Sequence, residues 1–181
     1  MKHLLASIIL ALTCTMTAMA QSPMVTPQSE PGHFAWGADL GSSIDLTGNA
    51  MTNINICANL GYRNNWFRLL GIGGSIHIMM SNASRSIPVY AIAQTSFSSR
   101  PRLCFMDLRA GISMNNIENQ NTQTGAYGSL GLGVTLAHSR KFASHLILAY
   151  SFIQRKDYST EEGMTTLDDL HMASLRIGVT F

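Results

Sequence analysis

Residues 106–114 read MDLRAGISM, an alternation in which every second residue is apolar and the residues between are charged, polar or small. A period of two puts successive side chains on opposite faces of an extended chain, so this stretch is predicted to be a β-strand with one apolar face. The same period recurs in seven further stretches, and helical periodicity is convincing nowhere. Those stretches are 34–45, 53–62, 70–80, 87–97, 127–136, 142–152 and 173–181.

The connections between these eight strands differ in length. Three are short, at residues 63–65, 98–101 and 138–140, and the others are mostly longer and more polar, at 47–49, 81–86, 115–124 and 155–168. Short turns at one end and longer loops at the other are typical of an outer-membrane barrel with an even number of strands. With eight strands, both termini are expected on the short-turn side, which is periplasmic in such barrels.

Alternation alone fits two kinds of barrel. A lipocalin-like soluble barrel points its apolar face inward, whereas a membrane barrel points that face toward lipid. A water-facing surface should be rich in Lys and Glu, but only 12% of the residues are charged and the polar faces carry mainly Asn, Ser, Thr and Gly. The sequence therefore predicts an all-β fold, an eight-stranded antiparallel up-and-down transmembrane β-barrel.

The N-terminal residues are typical of an exported protein. A positive start is followed by an apolar run, Leu4–Thr13, and by Ala18-Met19-Ala20, a small-x-small cleavage pattern. Residues 1–20 are predicted to be a signal peptide, 21–32 a flexible periplasmic lead-in and 33–181 the barrel. Cys14 leaves lipidation open as an alternative, although Thr13 directly before it matches a lipoprotein site poorly.

Charge and cysteine content exclude several classes of function. The formal net charge is +2 and no run of Lys or Arg is present, so no nucleic-acid partner is expected. Beyond the leader, Cys57 and Cys104 are two isolated cysteines, which are neither a disulfide framework nor a set with metal-ligand spacing. No cofactor or metal site is predicted.

Aromatic residues gather at one end of the predicted strands. If the odd-numbered strands rise from the periplasm, half of the aromatic residues fall near the short turns. Trp and Tyr favour the boundary between membrane and water, so an aromatic girdle is predicted there. The girdle comprises Trp36, Tyr62, Trp66, Phe97 and Phe142, together with Phe34 and Phe181.

The last seven residues, LRIGVTF, end in Phe181 and carry Leu175, Ile177 and Val179 at alternate positions before it. This pattern resembles the C-terminal signal that the assembly machinery reads in bacterial outer-membrane barrels. With the leader and eight strands, residues 32–181 resemble the small OmpA/OmpX-like outer-membrane β-barrel family. The resemblance implies a bacterial outer-membrane location, with membrane lipid and the barrel assembly machinery as partners. OmpA-like proteins often carry a peptidoglycan-binding domain after the barrel, and none follows Phe181, so a cell-wall tether there is not expected.

Candidate catalytic groups are sparse. Some eight-stranded outer-membrane barrels modify lipid A, and the one Ser-His pair worth testing is Ser75 and His77, two residues apart on the polar face of the third strand. Since His77 faces inward by parity whereas a lipid-modifying site must face the outer leaflet, a polar contact is expected rather than catalysis. The chain is therefore interpreted as a non-enzymatic barrel with a structural or surface-interaction role, and the loops 115–124 and 155–168 could bind an extracellular ligand.

Four charges fall on the inward faces of the predicted strands. Asp39, Asp107, Arg109 and Arg176 are expected at similar heights in a narrow lumen, where an unpaired charge is costly. They are predicted to form ion pairs that plug the lumen. A narrow channel or porin-like protein, in which these charges are solvated, remains the alternative, ahead of a lipid A-modifying enzyme.

Overall fold

The computed structural model describes residues 32–48, 51–64, 66–80, 84–97, 103–117, 121–139, 142–155, 158–160, 163–165 and 169–181. The expected signal peptide and nearly all of the lead-in lie outside the described residues, as do the predicted turn 98–101 and Cys14. Described strands are β1 (His33–Asp45), β2 (Asn53–Arg63), β3 (Phe67–Met79), β4 (Arg85–Ser96), β5 (Cys104–Ile117), β6 (Asn121–His138), β7 (Ala143–Ile153), β8 (Tyr158–Thr160), β9 (Gly163–Thr165) and β10 (Leu170–Thr180).

Eight of these strands form a closed barrel in the order β1-β10-β7-β6-β5-β4-β3-β2, and every neighbouring pair is antiparallel. This confirms the predicted eight-stranded antiparallel up-and-down barrel. β8 and β9 make a separate two-stranded hairpin. No helix in the described ranges is long and apolar enough to cross a membrane.

The barrel closes where the first strand meets the last. Gly37 pairs with Thr180, and the register runs without interruption to Asp45 opposite Met172. Trp36 and Phe181 extend this seam by exchanging backbone hydrogen bonds of 2.8 and 3.2 Å. Because the sheet closes on itself, its strands have no free edge and their backbone polar groups are paired within the barrel.

Side chains alternate between a buried lumen and an exposed exterior along each barrel strand. On β2, Asn53 and Asn55 are buried, whereas Ile54 and Ile56 between them are exposed. The interior also contains apolar residues, among them a cluster of Phe105, Ile147 and Ala149. The polar groups and not the apolar ones thus dominate the inside of the barrel, which reverses the arrangement of a water-soluble domain.

Two of the loops predicted from composition contain more strand than expected. The polar composition of residues 115–124 predicts a loop, but β5 extends to Ile117 and β6 begins at Asn121, with Asn115 opposite Gln123. Backbone pairing to the neighbouring strand outweighs the turn preference of Asn there. The predicted loop 155–168 contains the β8–β9 hairpin.

The start of β3 departs from the strict alternation of inward and outward side chains. The strand begins at Phe67 rather than at Leu70, and a β-bulge shifts the register between Phe67 and Leu69. An extra residue at a bulge turns the side chains that follow. As a result Arg68 and Leu69, although adjacent, are both buried.

Interior glycines make room for large side chains, and Gly133 on β6 gives a clear test. A Cβ atom there would lie 2.2 Å from the Phe105 ring. We expect Gly133→Val to lower the free energy of unfolding by about 1–3 kcal/mol through overpacking. Urea titration of the refolded barrel in detergent would measure the loss.

The matched control is Gly128→Val on the same strand, where a Cβ atom would meet nothing within 4 Å. This variant should unfold at the urea concentration of the unmodified chain or slightly above it. Equal losses for the two variants would contradict the placement of Phe105 inside the barrel.

Candidate functional site

The middle of the lumen holds a layer of four charged side chains that we call the charged layer: Asp39 on β1, Asp107 and Arg109 on β5, and Arg176 on β10. All four are at most 3% exposed. Arg109 donates to Asp39 over 2.8 Å and to Asp107 over 2.9 Å, and Arg176 donates to Asp107 over 3.2 Å. The four side chains expected to face inward therefore lie in one connected network.

The sheet order determines how this network crosses the lumen. β1 and β5 are separated by three strands in either direction around the ring, so they lie on opposite walls of the barrel. The bond from Nη2 of Arg109 to Oδ2 of Asp39 therefore spans the interior from wall to wall. Asp107 and Arg109 are two residues apart on the same face of β5, which lets Nε of Arg109 reach Oδ1 of Asp107.

Each carboxylate of the charged layer receives further hydrogen bonds. Nδ2 of Asn59 donates to Asp39 over 3.1 Å, and Nε2 of His145 lies 2.8 Å from the other oxygen of Asp39. Nε2 of Gln94 donates to Asp107 over 2.8 Å. A buried charge is tolerated when it is both paired and hydrogen-bonded, and these two carboxylates meet both conditions.

The two guanidinium groups are also held by neutral partners. Arg109 donates to the hydroxyl of Tyr90 over 3.0 Å, and its guanidinium carbon lies 5.2 Å from the centre of that ring. Arg176 donates to the hydroxyl of Ser129 over 3.1 Å. Two carboxylates and two guanidinium groups give the four-residue layer no net formal charge.

Sequence reasoning missed several residues of this site. Alternation along β7 places His145 on the inward face, but that face also carries the apolar Ile147 and Ala149, so the sequence does not mark it as a polar face. Asn59 and Gln94 lie on inward faces by the same parity, but an amide side chain gives no signal of its own that it contacts an ion pair. For His145, Asn59 and Gln94, only the position on an inward face indicates a place in the lumen, and the residue type does not predict contact with the charged layer.

The lumen differs on the two sides of the charged layer. Toward the short turns, the fully buried ring of Phe105 lies beside the edge of His145 and under the guanidinium of Arg68, 4.4 Å from the ring centre. Toward the loops, hydroxyl pairs line the interior, such as Ser43 with Ser174 at 2.8 Å. Further hydroxyl pairs in the lumen are Ser86 with Ser113 and Ser129 with Ser151.

The Ser-His pair considered for catalysis is in contact. Oγ of Ser75 lies 3.0 Å from Nε2 of His77, and both residues are buried in the lumen. The His77 ring meets the ring of Tyr127 edge to face. Within the described part of the chain, no carboxylate hydrogen-bonds to His77, so the acid that orients the base in a catalytic triad has no counterpart there.

The aromatic residues expected to form a girdle are exposed on the outside of the barrel, near the short turns. Phe34 is opposite Tyr62, and the ring of Phe181 stacks on Trp36 with centroids 4.4 Å apart. Phe142 lies beside Phe181 at 6.2 Å. The exposed set at this end is Phe34, Trp36, Tyr62, Trp66, Phe97, Phe142 and Phe181.

The residues of the C-terminal pattern also face outward. Leu175, Ile177 and Phe181 are exposed and Val179 is half-buried. Cys57 is buried and Cys104 half-buried, and neither is in a disulfide. Among the described side chains, no three of the His, Cys, Asp or Glu type lie together in a way that could hold a metal ion.

Comparison with known proteins supports the fold. No family model matches the chain, and no curated protein does. Neisserial surface protein A matches with a TM-score of 0.60 and 18% identity over 83% of this chain and 98% of that one. The N-terminal barrel domain of Pseudomonas aeruginosa OprF matches with a TM-score of 0.49 and 17% identity over 83% of this chain and all of that one. The first likeness shows the fold alone, a small closed β-barrel.

Asp107 is the residue on which both arginines of the charged layer converge, so its removal should be costly. Asp107→Ala leaves two buried guanidinium groups with fewer counter-charges, and we expect it to lower the free energy of unfolding by about 3–5 kcal/mol. Asp45→Ala is the control, because that carboxylate is at the loop end, where it accepts from Thr47 and Met51. The control should cost about 1 kcal/mol. Equal and small losses in urea titrations would contradict a tightly coupled layer.

Proposed function

We propose that the chain is a non-enzymatic outer-membrane β-barrel protein whose lumen is plugged by the charged layer and whose loops carry a structural or surface-interaction role. The observation that carries this proposal is the inverted distribution of side chains. Thirty large hydrophobic side chains of the described residues are exposed, while Asp39, Asp107, Arg109 and Arg176 are buried. Contact of these apolar side chains with lipid hydrocarbon is favourable, whereas their exposure to water costs free energy.

The alternative of a soluble lipocalin-like barrel requires the opposite arrangement. A soluble barrel places its apolar side chains around an internal ligand and its charges outside. On β7, Leu148 is 64% exposed while His145 and Ser151 face the lumen. The side chains of β7 therefore agree with an apolar face that points toward lipid. The aromatic girdle near the short turns lies where the membrane–water boundary is expected.

The orientation follows from the unequal connections. Outer-membrane barrels have short periplasmic turns and longer extracellular loops. We therefore place the short-turn end, with both chain termini, in the periplasm. The segments 115–124 and 155–168 then lie on the extracellular side, where they could contact an extracellular ligand.

Plugging of the lumen is supported by the contact that joins opposite walls. An eight-stranded barrel is only just wide enough to be filled by its own side chains. The bond between Arg109 and Asp39 crosses this space, and Phe105 fills the level beneath it. A barrel of this kind is a rigid scaffold in the membrane, and its loops are the parts that contact partners.

Assembly provides a role for the C-terminal residues. β10 closes the barrel against β1, and an alternating outward row runs along it and onto the residue that follows it: Leu175, Ile177, Val179 and Phe181. Phe181 is hydrogen-bonded to the backbone of Trp36 at the seam. We infer that the barrel assembly machinery reads this row before closure, when β10 is still an open edge.

The membrane location has a direct biochemical test. The protein expressed with its leader should fractionate with the outer membrane and migrate faster on gels without heating than after boiling, because a closed barrel offers no free strand at which unravelling can start. Recovery in the soluble periplasm, with no heat-dependent shift, would favour the lipocalin-like alternative.

The plug has an electrical test. Planar bilayers that contain the refolded protein should show no steady discrete openings, since Arg109 and Asp39 bridge the lumen. The double variant Asp39→Ser/Arg109→Ser, which removes this bridge, should conduct measurably more often than the unmodified chain. Steady openings of the unmodified chain, equal to those of the variant, would favour the narrow-channel alternative.

A further inference from the structure

Pro88 lies at a position where proline is unusual, inside a strand that has a paired neighbour on each side. It is on β4, between β3 and β5, and it is the one proline within the described strands. Proline has no backbone N–H, so in sheets it is normally confined to edge strands, to the first residue of a strand or to bulges. A closed barrel has no edge, so Pro88 leaves one position of the hydrogen-bond ladder without its donor.

The missing donor interrupts the pairing of β4 with β3 and not its pairing with β5. Against β5 the register is continuous, with Pro88 opposite Ser113. Against β3 the paired residues stop at Gly74 and resume at His77, and the register is the same on both sides, so the interruption is not a bulge. We call this interruption the wall gap. Its positions without a register partner are Ser75 and Ile76 on β3 and Ile87 and Pro88 on β4.

The lipid-facing side of the wall gap is not covered by a large side chain. Gly74 lies beside the gap on the outward face of β3. Crowding explains two other glycines of this strand, because a Cβ atom at Gly71 or Gly73 would lie 2.0 or 2.3 Å from another atom. At Gly74 the nearest atom would be the carbonyl oxygen of Pro88 at 3.7 Å, so packing does not require glycine there.

Behind the wall gap lie the two polar side chains that hydrogen-bond to each other, Ser75 and His77. Both face the lumen and are 3% exposed, and Nδ1 of His77 has no hydrogen-bond partner among the described residues. Ser75 is eight residues beyond Phe67 and four before Met79 on β3. At about 3.3 Å per residue and a tilt of about 40°, it lies roughly 20 Å above the short-turn end. In the proposed orientation this height is in the outer leaflet.

We propose that the barrel wall opens at the wall gap and gives small, uncharged, lipid-soluble molecules a lateral route from the outer leaflet to Ser75 and His77. The inference rests on the proposed membrane location and orientation, and it adds a place in the lumen that is entered through the wall. The class of ligand follows from the route. Exposed Ile76, Ile87 and Val89 surround its outer end and offer no counter-charge. At its inner end, the hydroxyl and the imidazole can exchange hydrogen bonds with one polar group of the ligand.

The test follows the modification of His77 by diethyl pyrocarbonate, a small uncharged reagent that reacts with imidazole. The full-length mature barrel is treated in lipid nanodiscs, and peptide mass spectrometry compares the rate at His77 with the rates at two reference histidines of the same molecule. His33 is exposed at the short-turn end, whereas His145 is buried in the lumen beside Asp39.

Two variants close the route in different ways. Pro88→Ala restores the N–H that the ladder lacks, and Gly74→Val places a side chain over the wall gap from outside. The matched control is Gly128→Val on β6, an outward position far from the gap where a Cβ atom would also have open space. If Pro88→Ala does not fold, Gly74→Val and its control still decide the outcome.

In the unmodified barrel, His77 is expected to react faster than His145. Pro88→Ala should slow the reaction at His77 by about three- to tenfold, the change in the open population expected from one backbone hydrogen bond. Gly74→Val should also slow it, because the added side chain covers the gap. Gly128→Val should react like the unmodified barrel, and the rates at His33 and His145 should be the same in all four proteins.

Two results would overturn the inference. One is a native barrel in which His77 reacts no faster than His145. The other is a rate at His77 that neither Pro88→Ala nor Gly74→Val changes, since the reagent then enters through the mouth of the lumen. Flotation with lipid vesicles separates this failure from failure of the proposed function. A barrel that floats with vesicles but fails the reagent test lacks only the lateral route, whereas one that associates with no vesicle contradicts the membrane location itself.

Discussion

Closure of the sheet between β1 and β10 is the constraint on which the other features depend. Once the ring of eight strands is closed, each strand side chain must face either the lumen or the exterior. Arg109 on one wall then reaches Asp39 on the opposite wall across the lumen. The other face of each strand then points outward, and in this chain it carries the exposed apolar side chains.

Much of this arrangement follows from alternation in the sequence. The period of two is enough to predict the strands, their number and the face on which Asp39, Asp107, Arg109 and Arg176 lie. Composition adds which face of the strands points inward. A face made of Asn, Ser, Thr and Gly is suited to a crowded interior, whereas a water-facing surface should be rich in charged residues. The distances of 2.8–3.2 Å within the charged layer come only from the structure.

The parts that sequence could not predict have local physical reasons. Parity places Arg68 outside, but a bulge in β3 turns it into the lumen, and bulges leave little signal in a single sequence. His145 shares its face with apolar residues, so its contact with Asp39 was hidden by the composition of β7. In residues 115–124, pairing across β5 and β6 outweighs the turn preference of Asn, which acts only locally.

The inverted distribution of side chains is tested most directly by nuclear Overhauser effects between protein methyl groups and lipid acyl chains, with the unmodified barrel in lipid nanodiscs. The account predicts strong effects from acyl methylenes to the exposed residues Ile56, Ile72 and Leu148. It predicts none to Ile92 and Ile147, which are buried in the lumen. Acyl-chain contacts at Ile92 and Ile147, or water contacts in place of lipid contacts at the three exposed residues, would contradict it.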